Sequence, residues 1–121
     1  MTGFARDILF LLPPGFEDND RREFCPECAE LWGVLSYFPS IKDSVEIRHV
    51  GIEHPRAPIC ALLGDGQWNA PTLVLGPGNR AADDVPIETA AGREFIGSAR
   101  GIALYWARKY GTPVPRGYTP R

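Results

Sequence analysis

The feature that most constrains this chain is Cys25-Pro26-Glu27-Cys28, set where a turn-rich segment gives way to a helical pattern. Before it, Ile8-Leu9-Phe10-Leu11-Leu12 is a continuous apolar run closed by Pro13-Pro14-Gly15, as suits a strand buried on both faces. After it, Leu31, Val34, Leu35 and Phe38 recur at i, i+3, i+4 and i+7, one face of a helix that Pro39 ends. A cysteine just ahead of a helix lies near unpaired backbone N–H groups and the positive end of the helix dipole, which favour thiolate over thiol. Pro26 fits the first helical position, where its missing N–H costs nothing. Cys28 follows one turn later, within reach of the first sulfur. The spacing therefore casts Cys25 as the exposed nucleophile and Cys28 as the more buried resolving thiol. A negative charge at Glu27 works against a thiolate unless it points to solvent, although acidic residues are ordinary in a first helical turn.

Other readings of the pair stay open. A lone CxxC is half of a zinc site that Cys60, His49 or His54 could complete, but no second CxxC or HxxxH exists. The pair also reads as two inert buried thiols at a helix start. Three cysteines cannot all pair within one chain, and without a secretory pattern they do not form a disulfide framework. No stretch approaches the 18 apolar residues of a membrane span, so the chain reads as a cytoplasmic protein with no membrane partner. Its net charge of −2 carries no clustered basic stripe, which argues against a nucleic-acid partner.

The rest of the chain reads as a single domain over 1–121. Residues 13–24 form a long polar loop insertion ahead of the CxxC. Residues 45–50 alternate as a second strand, and 58–63 form a short helix closed by Gly64. Thr72-Leu73-Val74-Leu75 is a third strand entered through Pro71, and 86–89 is a weak fourth. Phe95 and Ile96 lead into a helix over 98–110, with Ser98 as its N-cap, Ile102, Tyr105 and Trp106 on its buried face, and Gly111 as its C′ residue. Residues 112–121 are a proline-rich tail. The order is βαβ-α-ββα, an α/β domain with a mixed four-stranded sheet flanked by helices.

Asn69-Ala70-Pro71-Thr72 places a proline at the head of an interior strand, a position that can hold a cis bond. Together with the CPEC helix start and the order of elements, this segment resembles the thioredoxin-like superfamily over roughly residues 7–110. Within it, the chain looks similar to a small uncharacterised bacterial family. The resemblance implies a cis Pro71 beside the CxxC, with the Ala70 backbone contacting a bound peptide or thiol and Thr72 following into the strand. It also puts Trp68 near the site, as an aromatic wall or as a loop aromatic on the edge of the core. CPEC departs from the CGPC of thioredoxin itself, and the 13–24 segment is longer than its counterpart there.

The last helix, from Gly97-Ser98 to Tyr110, is similar to that of the glutathione-transferase N-terminal domain. There an acidic-Ser pair binds the γ-glutamyl carboxylate of glutathione. Ser98 matches the serine and Gly97 replaces the acidic residue. The expected function is a thiol–disulfide oxidoreductase acting through Cys25 and Cys28, with no metal, exchanging with a protein disulfide or with glutathione as co-substrate. The alternatives are a non-catalytic binding or adaptor module on the same fold, and a glutathione-binding, transferase-like protein.

Overall fold

In the computed structural model, residues 6–117 are described. The apolar run becomes strand β1 (Ile8–Leu11), with all four side chains fully buried. The segment expected to be a loop instead carries a small hairpin, β2 (Phe16–Asp18) and β3 (Arg21–Glu23). Its two-residue turn, Asn19-Asp20, has positive φ at both positions (53° and 59°), the geometry that matches the twist of two adjacent strands. Asn and Asp tolerate that region because their short polar side chains hydrogen-bond locally; here the Asn19 N–H donates to Asp18 Oδ1 at 3.0 Å.

Helix α1 (Pro26–Tyr37) buries Cys28, Leu31 and Leu35. Pro39 ends it and also opens a second helix, α2 (Pro39–Ser44), at a position where its missing N–H is not needed. Strand β4 (Glu46–His49) follows, then helix α3 (Ala57–Leu63), which Gly64 closes at φ 95°. Strand β5 (Thr72–Val74) is wholly buried. After it come β6 (Glu88–Ala90) and β7 (Arg93–Ile96). Helix α4 (Ala99–Tyr110) buries Ile102, Tyr105 and Trp106 as its periodicity requires, and Gly111 ends it in the left-handed region. Residues 118–121 of the expected tail lie outside the described residues.

The main sheet has five strands in the order β4-β1-β5-β7-β6, a correction to the four expected. The pair β1–β4 is parallel and the other pairs are antiparallel. The additional strand is β7, which takes the place beside β5, while the weak strand near 86–89 becomes the edge. Arg93 and Glu94 hid β7 because they break its apolar character, and the Ala91-Gly92 turn has positive φ at both residues (52° and 74°).

Helix α4 packs on both α1 and β5. A Cβ at Gly101 would lie within 3.0 Å of Ser98 Oγ, Ile96 Cγ2 and Pro86 Cγ, so a hydrogen there lets the helix start close to β7. At the other end of the sheet, buried Asp7 joins three elements. Its Oδ1 accepts from Gly76 N and Asn79 Nδ2, both at 2.7 Å, and its Oδ2 accepts from the Tyr105 hydroxyl at 2.6 Å.

Candidate functional site: the Cys25–Cys28 helix start

Cys25 is the N-cap of α1, in extended backbone conformation with Pro26 at the first helical position. Its sulfur takes the capping role that serine or aspartate usually fills: Sγ accepts from Cys28 N at 3.2 Å. Its carbonyl accepts from Ala29 N at 3.0 Å, closing the first turn. Cys28 is 3% exposed and Cys25 is half-buried. Leu12, the residue after β1, donates its N–H to Cys28 Sγ at 3.4 Å, which ties the end of the central strand to the helix start.

These surroundings give the two sulfurs different chemistry. Burial pushes the Cys28 thiol up to about 12, assisted by its hydrogen bond with Cys25; the Leu12 N–H opposes the shift, and the negative potentials of Cys25 and Glu27 add to it. Cys28 is therefore a thiol at neutral pH. All three cysteines are free.

Glu27 is an exposed residue whose carboxylate is nevertheless engaged. Its Oε1 accepts from Ala99 N at 3.0 Å, at the N-terminus of α4, where the dipole favours a carboxylate. Ser98 Oγ accepts from Gly101 N at 3.1 Å in the same turn, the N-cap bond expected of it. Two of the first three N–H groups of α4 are thus used within the chain. An ion pair between Arg100 and Glu30 (2.7 Å) runs alongside.

The third piece is the entry to β5. The Ala70–Pro71 peptide bond is cis, and Thr72 is buried opposite Phe10 of β1. The antiparallel register continues Pro71 and Ala70 toward the end of β1 that Cys28 holds. Asn69, the first residue of the Asn69-Ala70-Pro71-Thr72 segment, organises this corner. Its Nδ2 reaches the carbonyls of Pro71 (3.0 Å) and Gly97 (2.9 Å) and the Thr72 hydroxyl (3.1 Å). Thr72 in turn donates to the Asn69 carbonyl at 2.7 Å. The Asn69 amide thus joins the β5 entry to the residue just before the Ser98 cap of α4.

Trp68 has contacts of its own. It stacks on His54, with ring centroids 4.9 Å apart, and its carbonyl accepts from Arg56. Cys60 donates to the Gln67 carbonyl at 3.4 Å. Among the described residues, no three His, Cys, Asp or Glu side chains gather as a metal cluster.

A cleft of about 460 Å³ opens beside Cys25 and Cys28, lined by Phe24, Ala29, Trp32 and His49 together with Leu12 and the Pro13-Pro14 pair. The Trp32 and His49 rings lie nearly parallel, 14° apart at 6.3 Å. This wall lies outside the CxxC motif, although a pattern in the sequence marks it: 25, 28, 29 and 32 share one helical face. His49 joins them because it pairs opposite Leu11, one residue before Leu12.

The site thus belongs to an α/β protein that presents a CxxC pair at a helix start, where the ends of two central strands and a second helix meet. The chain is a member of the DUF3088 family, described as a protein of unknown function, whose model matches residues 6–114. No curated protein and no solved structure matches it. No helix among the described residues is long and apolar enough to cross a membrane.

Proposed function

We propose that this protein is a thiol–disulfide oxidoreductase on a thioredoxin-like fold. One observation carries the reading: a half-buried Cys25 caps α1 with its sulfur, which accepts from the Cys28 backbone N–H, and the buried Cys28 thiol lies one turn below. That arrangement supplies one sulfur able to attack and one held back as the thiol until the first has reacted. Cys25 thiolate attacks a disulfide RS–SR′, expelling R′S⁻ and forming Cys25–S–S–R. Cys28 then loses its proton to water and displaces RS⁻, leaving the Cys25–Cys28 disulfide. Two electrons pass from the pair to the substrate, and two equivalents of a monothiol such as glutathione return them.

Pro71 and Ala70, at the β5 entry, are proposed to shape the substrate side, with Thr72 anchoring that strand. Protein disulfides are the proposed partners, and a reducing, cytoplasmic setting suits three free thiols. The bonding of Glu27 to Ala99 argues against the transferase-like alternative, because the helix end that would receive the glutathione carboxylate is engaged.

The test is reduction of a protein disulfide by dithiothreitol with and without the chain. Wild type accelerates it and Cys25→Ser does not. Cys28→Ser accumulates the Cys25 mixed disulfide. No acceleration by wild type, or equal acceleration by Cys25→Ser, refutes the reading.

A further inference from the structure

Thiol–disulfide exchange needs a reachable thiolate and a second thiol; it does not need a walled cavity. Yet the sulfurs face a cleft of about 460 Å³, within the size range of sites for small organic ligands. Phe24 and Trp32 supply aromatic surface, and Pro13, Pro14 and Ala29 supply further apolar surface. No Lys, Arg, Asp or Glu lines the cleft, and His49 is its one ionisable side chain besides the cysteines. In the neighbouring hairpin both arginines are paired, Arg21 with Glu23 and Arg22 with Glu17, while Asp18 and Asp20 lie at its turn, outside the cleft lining. The α4 N-terminus, a natural carboxylate acceptor near the pair, already holds the chain's own Glu27.

A charged arm entering this cleft would lose hydration and find no opposite charge, whereas an apolar arm would gain by burial. We infer that the cleft selects the substrate: it receives disulfides bearing an uncharged aromatic or branched-aliphatic arm, with His49 offering a single polar contact. This rests on Cys25 being the attacking sulfur. The arm R of the mixed disulfide Cys25–S–S–R then sits between Phe24 and Trp32 while Cys28 displaces it.

The test uses the full reduced chain and two reagents sharing one reactive group, N-benzylmaleimide and N-(2-carboxyethyl)maleimide. The rate at Cys25 is read by peptide mapping and divided by each reagent's rate with 2-mercaptoethanol. The benzyl reagent should be favoured at least tenfold. Ala29→Leu, at an exposed helical position that tolerates leucine, fills the cleft and should bring the preference within twofold. Phe24→Ala, also at an exposed position, should reduce it several-fold. A wild-type ratio near one, or a preference unchanged in both variants, overturns the inference. The outcome is separable from the redox reading. A tenfold preference with a pair that never forms a disulfide keeps the cleft and removes the exchange reaction; a cycling pair with no preference does the reverse.

Discussion

Alkylation with iodoacetamide at pH 8 should modify Cys25 and spare Cys28, by a margin that follows from the structure. The reactive species is the thiolate. With its pKa pushed up to about 12, Cys28 is ionised in only about one molecule in 10⁴ at pH 8, whereas a free cysteine near 8.5 is about one-quarter ionised. Ionisation alone therefore slows Cys28 by a factor of about 2,500 relative to a free thiol. Its 3% exposure slows it further. The assay is timed alkylation followed by peptide mass mapping, with N-acetylcysteine as the free-thiol reference and the urea-unfolded chain as control. In the native protein Cys25 should be modified first, with Cys28 at least a hundredfold behind the reference. In urea the two should react within a few-fold of each other. Native rates within threefold of one another would refute the asymmetry on which attack and resolution depend.

Three further outcomes follow from the same contacts. Glu27→Ala removes the carboxylate from Ala99 N and should cost about 0.5–2 kcal/mol in urea unfolding, as loss of a helix cap does; Glu27→Gln, which keeps an acceptor, should recover most of it. Asp7→Ala strands the Gly76 N–H, the Asn79 amide and the Tyr105 hydroxyl, and should cost about 3–5 kcal/mol by the same measurement. Stability should also fall at alkaline pH. Because the folded state holds the Cys28 proton up to about 12 and the unfolded chain releases it near 8.5, the folded state binds more protons between those values. The contribution of Cys28 is complete below about pH 8.5 and is lost as pH rises toward 12, with a slope of at most about 1.4 kcal/mol per unit. The difference between wild type and Cys28→Ala across pH 9–11 isolates it, and parallel slopes would contradict the burial of that thiol.

Much of the framework was legible because it rests on local rules. The apolar run at 8–12, the periodicity after Cys28, the Ser98 and Gly111 caps and the proline at the β5 head each point to one local structure. The hairpin at 16–23 and strand β7 were hidden for a shared reason. Both hang on two-residue turns with positive φ, Asn19-Asp20 and Ala91-Gly92, and both strands after the turn begin with charged residues. Helix α2 is hidden in the sequence because Pro39 marks the end of α1, whereas a proline that ends one helix can also start the next.

In the site, the CxxC geometry is local and could be read from the sequence. The docking of Glu27 on Ala99, the Asn69 brace and the presence of His49 in the cleft are not. They join residues 72, 28 and about 21 positions apart in the chain, and only the packing of α1, α4 and β4 onto one end of the sheet brings them together. The start of α4 illustrates the limit. Glu27, inside the CxxC itself, bonds to Ala99 N from another helix, and no local pattern at Gly97-Ser98 announces it.

The central claim is that Cys25 and Cys28 form one reversible two-electron couple. Its most direct test is to equilibrate the chain with reduced and oxidised glutathione at graded ratios, quench with acid, and measure the Cys25–Cys28 disulfide by mass spectrometry. The account predicts a single two-electron transition, reached equally from the reduced and oxidised sides, unchanged by Cys60→Ser and abolished by Cys25→Ser. A pair that stays dithiol at every ratio, or oxidises without returning, would contradict it.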